Sequence, residues 1–287
     1  MIVKDIRPRG FCKGVYFAVE KVKEVLKNED YPRPVYVLGY IVHNAHVVEE
    51  ITALGAITLD DKKTSRLALI EGIDKGTVII SAHGTPVEVV KRIQAKGLTL
   101  VDATCQDVYV THDLIKAYLD KDYYVLYIGK NKHPETNASL SLGNKVFLIE
   151  TIEDIEKLSI QGKIFVTNQT TFSIKDIFNL HQAIKKKYPN AIITEEICNA
   201  TRIRQNAIIE SNKDVDFCYI VGDQRSNNSR NLVKISETFA NTRTRLIQSV
   251  DDICLDDLKN VKTVSVSSGA STPEHITKSV IEYLKTL

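Results

Sequence analysis

The chain has 287 residues, 43% of them apolar and 26% charged, with a formal net charge of +2. That composition belongs to an ordinary globular protein, long enough for one large domain or two to three small ones. Scattered Lys and Arg, and no apolar run near the roughly 20 residues that span a bilayer, predict neither a nucleic-acid partner nor a membrane.

Five cysteines, an odd number with no C-x-x-C pair, argue against a disulfide framework, a zinc ribbon and a thioredoxin motif. Met1-Ile2-Val3-Lys4-Asp5 lacks the apolar core of a signal peptide, so the expected location is a reducing cytoplasm.

Taken in order, short β-rich runs alternate with amphipathic stretches. "MIVKDIRPRGFC" ends in Cys12 and leads into "GVYFAVEKVKEVLKN", where Val15, Ala18, Val19, Val22 and Val25 have helical spacing. "PVYVLGYIVHN" is an apolar run through Gly39 to His43-Asn44. "GTVIISAHGTP" reads as a buried strand ending at His83, before the helix "VEVVKRIQAKG". "LTLVDATC" ends in Cys105, before "QDVYVTHDLIKAYL". "YYVLYIGKNKHPETN" passes Gly129 to reach His133-Pro134-Glu135. "GKIFVTNQTTFS" carries Asn168-Gln169-Thr170-Thr171 into "IKDIFNLHQAIKKKY". "AIITEEIC" ends in Cys198, before "NATRIRQNAIIESN". "FCYIVGDQRSNNS" holds Gly222 and Ser226-Asn227-Asn228, and "KTVSVSSGASTP" brings Ser271-Thr272 to "EHITKSVIEYL".

This order is a threefold repeat. The interval from Cys12 to Cys105 equals that from Cys105 to Cys198, 93 residues each. Cysteine, glycine after an apolar run, and a strand ending in hydroxyl or amide residues recur in each segment. Strands alternating with helices predict an α/β fold of three pseudo-symmetric units, with mostly parallel sheets around a common centre. The expected boundaries are 13–104, 105–197 and 198–287, with the N-terminal strand 1–12 joining the third unit. Ligands of such sheets bind beyond the carboxyl ends of the strands, where all nine polar loops fall.

Three cysteines from distant segments, with no fourth partner, suggest an incompletely ligated metal centre. Zinc takes three protein ligands at catalytic sites; iron–sulfur clusters usually take four thiolates, and a [4Fe–4S] cluster on three leaves one iron open. Each thiolate would lie near a helix N-terminus, which lowers its pKa. Cys218 and Cys254 are expected to be packing residues. The other loops offer mostly neutral donors at helix N-termini, suited to an anion such as phosphate. Taken singly, a Ser or Asn there is more often a helix cap. Glu135 is the only carboxylate in these six loop segments, and Pro134 restricts His133 to extended geometry. A carboxyl near a metal-bound substrate is a candidate general acid.

The set "RGFCKGV", "HN", "SAHGTP", "VDATC", "HPE", "NQTT", "ICNAT" with "RQ" two residues on, "SNNS" and "GASTP" resembles the 4-hydroxy-3-methylbut-2-enyl diphosphate reductase family, across essentially the whole chain. The resemblance implies an oxidoreductase with one [4Fe–4S] cluster per chain, on Cys12, Cys105 and Cys198, with one open iron. It implies that His43, His83, Ser226, Asn228 and Ser271 hold the diphosphate of an allylic substrate, with His133 nearby. Glu135, relayed through Thr170, would deliver protons. The implied reaction is the last step of the non-mevalonate isoprenoid pathway, with reduced ferredoxin or flavodoxin as electron donor.

Five positions depart from the usual pattern of that family. Phe17 stands where Arg is common, Gln106 replaces a proline, Lys132 a glycine, Asn168 a threonine and Asn227 a serine. Asn227 can still donate to phosphate. Two other readings stay open. One is a hydrolyase with the same open cluster and another phosphorylated substrate, which a clamp of arginines would favour; these loops show only Arg202 and Arg225. The other is a non-catalytic metal sensor, which would not need Glu135.

Overall fold

The computed structural model describes residues 1–61, 63–194 and 198–287. In chain order its elements begin with β1 (Ile2–Asp5), α1 (Lys13–Lys27), β2 (Val35–Leu38), α2 (Ala45–Ala53), β3 (Ile57–Leu59), α3 (Arg66–Glu71), β4 (Thr77–Ile80) and α4 (Val87–Ala95). They continue with β5 (Thr99–Asp102), α5 (Gln106–Leu119), β6 (Tyr124–Ile128), α6 (Pro134–Leu140), β7 (Val146–Ile149), α7 (Ile152–Lys157), β8 (Ile164–Asn168) and α8 (Ile174–Lys187). The last are β9 (Ile192–Ile193), α9 (Asn199–Ser211), β10 (Phe217–Val221), α10 (Asn227–Phe239), β11 (Arg243–Ile247), β12 (Thr263–Ser268) and α11 (Glu274–Thr286). Among the described residues, no helix is long and apolar enough to cross a membrane.

The chain forms two compact units. The first comprises Met1–Tyr16, His43–Val47 and Cys198–Leu287. Its sheet has the order β1-β12-β10-β11, with every neighbouring pair parallel. Successive side chains of a strand point to opposite faces. Tyr219 and Val221 of β10 therefore pack with Val264 and Val266 against Val280 and Leu284 of α11. Cys218 and Ile220 point the other way, to Ile208 of α9 and Leu232 and Ile235 of α10. Burial on both faces is why β10 reads as an unbroken apolar run.

The second unit comprises Phe17–Val42 and Val48–Ile197. It contains two parallel sheets, ordered β3-β2-β4-β5 and β7-β6-β8-β9. Leu38, Val78 and Ile80 pack on Ile70 of α3 and on Val89 and Ile93 of α4. Leu126, Ile128 and Val166 pack on Ile155 of α7 and Leu180 of α8, and Ile115 of α5 covers the opposite face.

The expected α/β class, with three sets of parallel strands, is the architecture observed. Read as β11-β10-β12-β1, the first unit's sheet repeats the order of the other two, with β1, β5 and β9 on matching edges. Cys12, Cys105 and Cys198 follow those edge strands. Residues 195–197, which end the run before Cys198 and include the expected boundary at 197, lie outside the described residues. The sequence reading did not extend to the short edge strands β3, β7 and β11. β3 is only three residues long, β11 alternates exposed and partly buried residues, and β7 is a four-residue apolar run with buried ends.

Candidate active site

In the first unit the Cys12 loop is tied to the end of β12. Gly10 N–H donates to Ser268 Oγ (2.8 Å) and Cys12 N–H to the Ala270 carbonyl (3.1 Å). Cys12 Sγ then accepts the Val15 N–H (3.5 Å), an orphan donor of the first turn of α1. Cys198 is the N-cap of α9, and its carbonyl accepts the Thr201 N–H (2.9 Å). Both cysteines are half-buried. Arg204, on the buried face of α9, donates from Nη1 to the Ala200 carbonyl (3.0 Å) and from Nη2 to the Gly10 carbonyl (2.9 Å). Burial pulls its pKa down, against attraction to Cys12 and Cys198.

The same unit brings several predicted polar residues together. Ser271 Oγ donates to the His43 carbonyl (2.9 Å). Asn228 Oδ1 accepts the Ala270 N–H (3.0 Å), leaving Asn228 Nδ2 buried with no protein partner. Ser226 caps α10, its Oγ accepting the Ser229 N–H (3.2 Å), and Asn227 Oδ1 accepts from Arg230. α10 is capped by Ser226 and α11 begins after Pro273, so neither Asn228 nor Ser271 is a helix cap. Sequence reasoning missed Asp223. Its carboxylate accepts the Arg225 N–H (2.7 Å) and the Ala45 N–H (2.9 Å), fixing the start of α2 beside His43-Asn44.

In the second unit Cys105 is the N-cap of α5, and its N–H donates to the Ala82 carbonyl (3.0 Å), next to His83. The His83 and His133 rings meet edge to face at 5.2 Å between centroids. His133 caps α6, Nδ1 accepting the Glu135 N–H (3.2 Å). A neutral His133 therefore carries its proton on Nε2, as a donor. Arg66, also missed, donates to the Gly84 carbonyl and Thr85 Oγ1 (2.9 Å each) and steadies the His83 loop. Lys132, where the resemblance leads one to expect glycine, has φ 62°, the left-handed region that glycine favours.

Glu135 is 1% exposed. Thr170 N–H donates to Oε1 (2.7 Å), Thr170 Oγ1 to Oε2 (3.0 Å), and the Tyr127 hydroxyl to Oε1 (3.5 Å). Burial pushes the carboxyl pKa up to about 7, and the bonds from Thr170 and Tyr127 limit the rise. A carboxyl poised there can hold and give a proton at neutral pH.

The LytB protein family model matches residues 3–285. A protein from Geobacillus sp. (strain WCH70) is 45% identical over 287 residues, 99% of this chain and 90% of its own length; it is called 4-hydroxy-3-methylbut-2-enyl diphosphate reductase. One of the same name from Symbiobacterium thermophilum is 47% identical over 99% of this chain and 97% of its own length. Among solved structures, the E-1-hydroxy-2-methyl-but-2-enyl-4-diphosphate reductase from Plasmodium falciparum has a TM-score of 0.91 at 32% identity, covering 100% of this chain and 87% of that one. A second, described as (E)-4-hydroxy-3-methyl-but-2-enyl diphosphate reductase, the terminal enzyme of the non-mevalonate pathway, has a TM-score of 0.69 at 29% identity over the full length of both. With a family match over nearly every residue and relatives this similar along the whole chain, the protein belongs to the LytB family.

Proposed function

We propose that the chain reductively removes the hydroxyl of (E)-4-hydroxy-3-methylbut-2-enyl diphosphate, giving isopentenyl and dimethylallyl diphosphate and water. The carbon–oxygen bond breaks with the uptake of two electrons and two protons. Glu135 carries the reading: a buried carboxyl, bonded through both oxygens to Thr170, with its pKa raised to about 7. Hydroxide is a poor leaving group, and this residue supplies the proton that turns it into water.

Cys12, Cys105 and Cys198 are the proposed ligands of one [4Fe–4S] cluster with one iron left open. The donor set suits it: soft sulfur ligands, each at the head of a helix, with a buried guanidinium near two of them. When bound, such a cluster supplies electrons one at a time and a Lewis-acidic iron. Reduced ferredoxin or flavodoxin is the proposed donor, in the cytoplasm. His43, His83, His133, Thr170, Ser226, Asn227, Asn228 and Ser271 are assigned to the substrate, with His43, His83, Ser226, Asn228 and Ser271 on its diphosphate. The unpaired, buried Nδ2 of Asn228 supports that assignment, because a donor in that state needs an acceptor. We also keep the division 13–104, 105–197 and 198–287, with 1–12 joined to the last, as our reading of the repeat.

Glu135→Gln tests the proposal. It keeps shape and reach and removes the ionisable proton. Turnover with a strong artificial reductant should fall about 10²-fold or more, with iron, sulfide and diphosphate affinity retained. Near-normal turnover would reduce Glu135 to a positioning role.

A further inference from the structure

The "ICNATRIRQ" stretch places Arg204 six residues beyond Cys198, and the roles assigned above leave it unused. Arg204 is 5% exposed, an unusual state for arginine. Its two terminal nitrogens are spoken for. Nη1 binds the Ala200 carbonyl, two residues after Cys198, and Nη2 binds the Gly10 carbonyl, two residues before Cys12. One side chain thus ties together the two cysteine loops of the first unit. Its third donor, Nε–H, is buried and has no protein partner.

A buried cation left with only carbonyl partners is costly, and an unpaired donor adds to the cost. Both costs are offset if an anionic acceptor lies beside it. The groups that attract this guanidinium electrostatically are Cys12 and Cys198. A cluster held by those thiolates carries negative charge and sulfur acceptors. Hydrogen bonds to the sulfurs and nearby charge are among the levers that set a cluster's potential. A cation that also donates to sulfur stabilises the state with one more electron.

We propose that Arg204 donates its Nε–H to a sulfur of the cluster, and that its charge holds the cluster at a higher reduction potential than the cysteine ligands alone would give. Arg204 is a positioning and tuning residue, and it exchanges no proton or electron itself. The inference rests on the reading that Cys12 and Cys198 are cluster ligands.

The test uses anaerobically prepared, cluster-loaded protein, with potentials read by redox titration followed by electron paramagnetic resonance. Arg204→Met should shift the one-electron equilibrium toward the oxidised cluster by about tenfold, equivalent to about 59 mV. Arg204→Lys keeps the charge and loses the Nε–H, and should lie between the two. A potential unchanged in both variants, with iron and sulfide intact, overturns the proposal. If the variants do not hold a cluster, the wild-type protein labelled with ¹⁵N-arginine decides. Pulsed resonance should then show ¹⁵N coupled to the cluster spin, and no coupling overturns the proposal. Protein with no iron or sulfide under any preparation would instead overturn the cluster reading, and this inference with it.

Discussion

Burial decides what each polar residue of the site can do. Glu135 has its pKa raised from 4.5 to about 7, a shift worth on the order of 3 kcal/mol. Between those values the folded protein holds a proton that the unfolded chain has lost. Stability therefore falls as pH rises through that window, and the contribution is gone above it. Glu135→Gln removes the titration. Its unfolding free energy relative to wild type should rise by up to ~3 kcal/mol from below pH 4.5 to above pH 7. Denaturant titrations at both ends measure this, and a pH-independent difference would mean that the carboxyl ionises normally. Asn228 offers a second test. Asn228→Asp keeps the acceptor for the Ala270 N–H but replaces the unpaired Nδ2 donor with negative charge. Inorganic diphosphate should bind about tenfold more weakly or worse, a loss of at least ~1.4 kcal/mol, typical of a hydrogen bond to a charged group. Unchanged affinity by calorimetry would remove Asn228 from the site. Glu135 and Asn228 were legible in the sequence because each lies in a repeated loop. Arg204 and Asp223 were not, since their partners lie 194 and 178 residues away. The available signal for Arg204 was the buried face of α9, where Thr201, Arg204 and Gln205 stand beside Ile208.

At the scale of elements, the glycines that mark the repeat have a common cause. Each follows a central strand where another side chain comes close. A Cβ at Gly39, which also has φ 77°, would meet Arg66 at 2.8 Å; one at Gly129 would meet Thr136 at 2.7 Å; one at Gly222 would overlap Ser229 Oγ. The sequence shows the glycines, while the reason for them lies in helices that it did not disclose. Gly222→Ala should cost about 1–3 kcal/mol, as overpacking does. Gly72 ends α3 at φ −75°, and an added Cβ there has only the Leu69 carbonyl, at 3.7 Å. Gly72→Ala should be neutral or stabilise by up to ~1 kcal/mol. The midpoints of urea unfolding measure both, and equal costs would show that the close approach at Gly222 is not what selects glycine. The central strands β6 and β10 were readable because burial on both faces makes them continuous apolar runs. The edge strand β11, with alternate residues exposed, carries Arg243, Thr244 and Arg245 in a run of five and so reads as a loop.

On the scale of the whole molecule, equal cysteine spacing has a structural counterpart. Three parallel sheets share one strand order, and each cysteine follows the same edge strand and heads a helix. The chain's ends complete the pattern, since β1 pairs with β12 and supplies the third sheet's matching edge. Compactness follows other lines, with two units rather than three, because packing depends on which faces are buried and not on the period of the repeat. The repeat fits the chemistry proposed for the chain, in which its three cysteines would be the ligands of a cluster that four would close. Glu135, which a metal sensor would not need, favours a reductase over that reading, but a hydrolyase could use the same open iron. The two differ in electrons. The most direct measurement is therefore the number of electrons consumed per product when anaerobically purified, cluster-loaded protein turns over (E)-4-hydroxy-3-methylbut-2-enyl diphosphate with a titrated reductant. The account predicts two electrons for each isopentenyl or dimethylallyl diphosphate formed. Substrate consumed without electron uptake, or not consumed at all by protein with a full cluster, would contradict it.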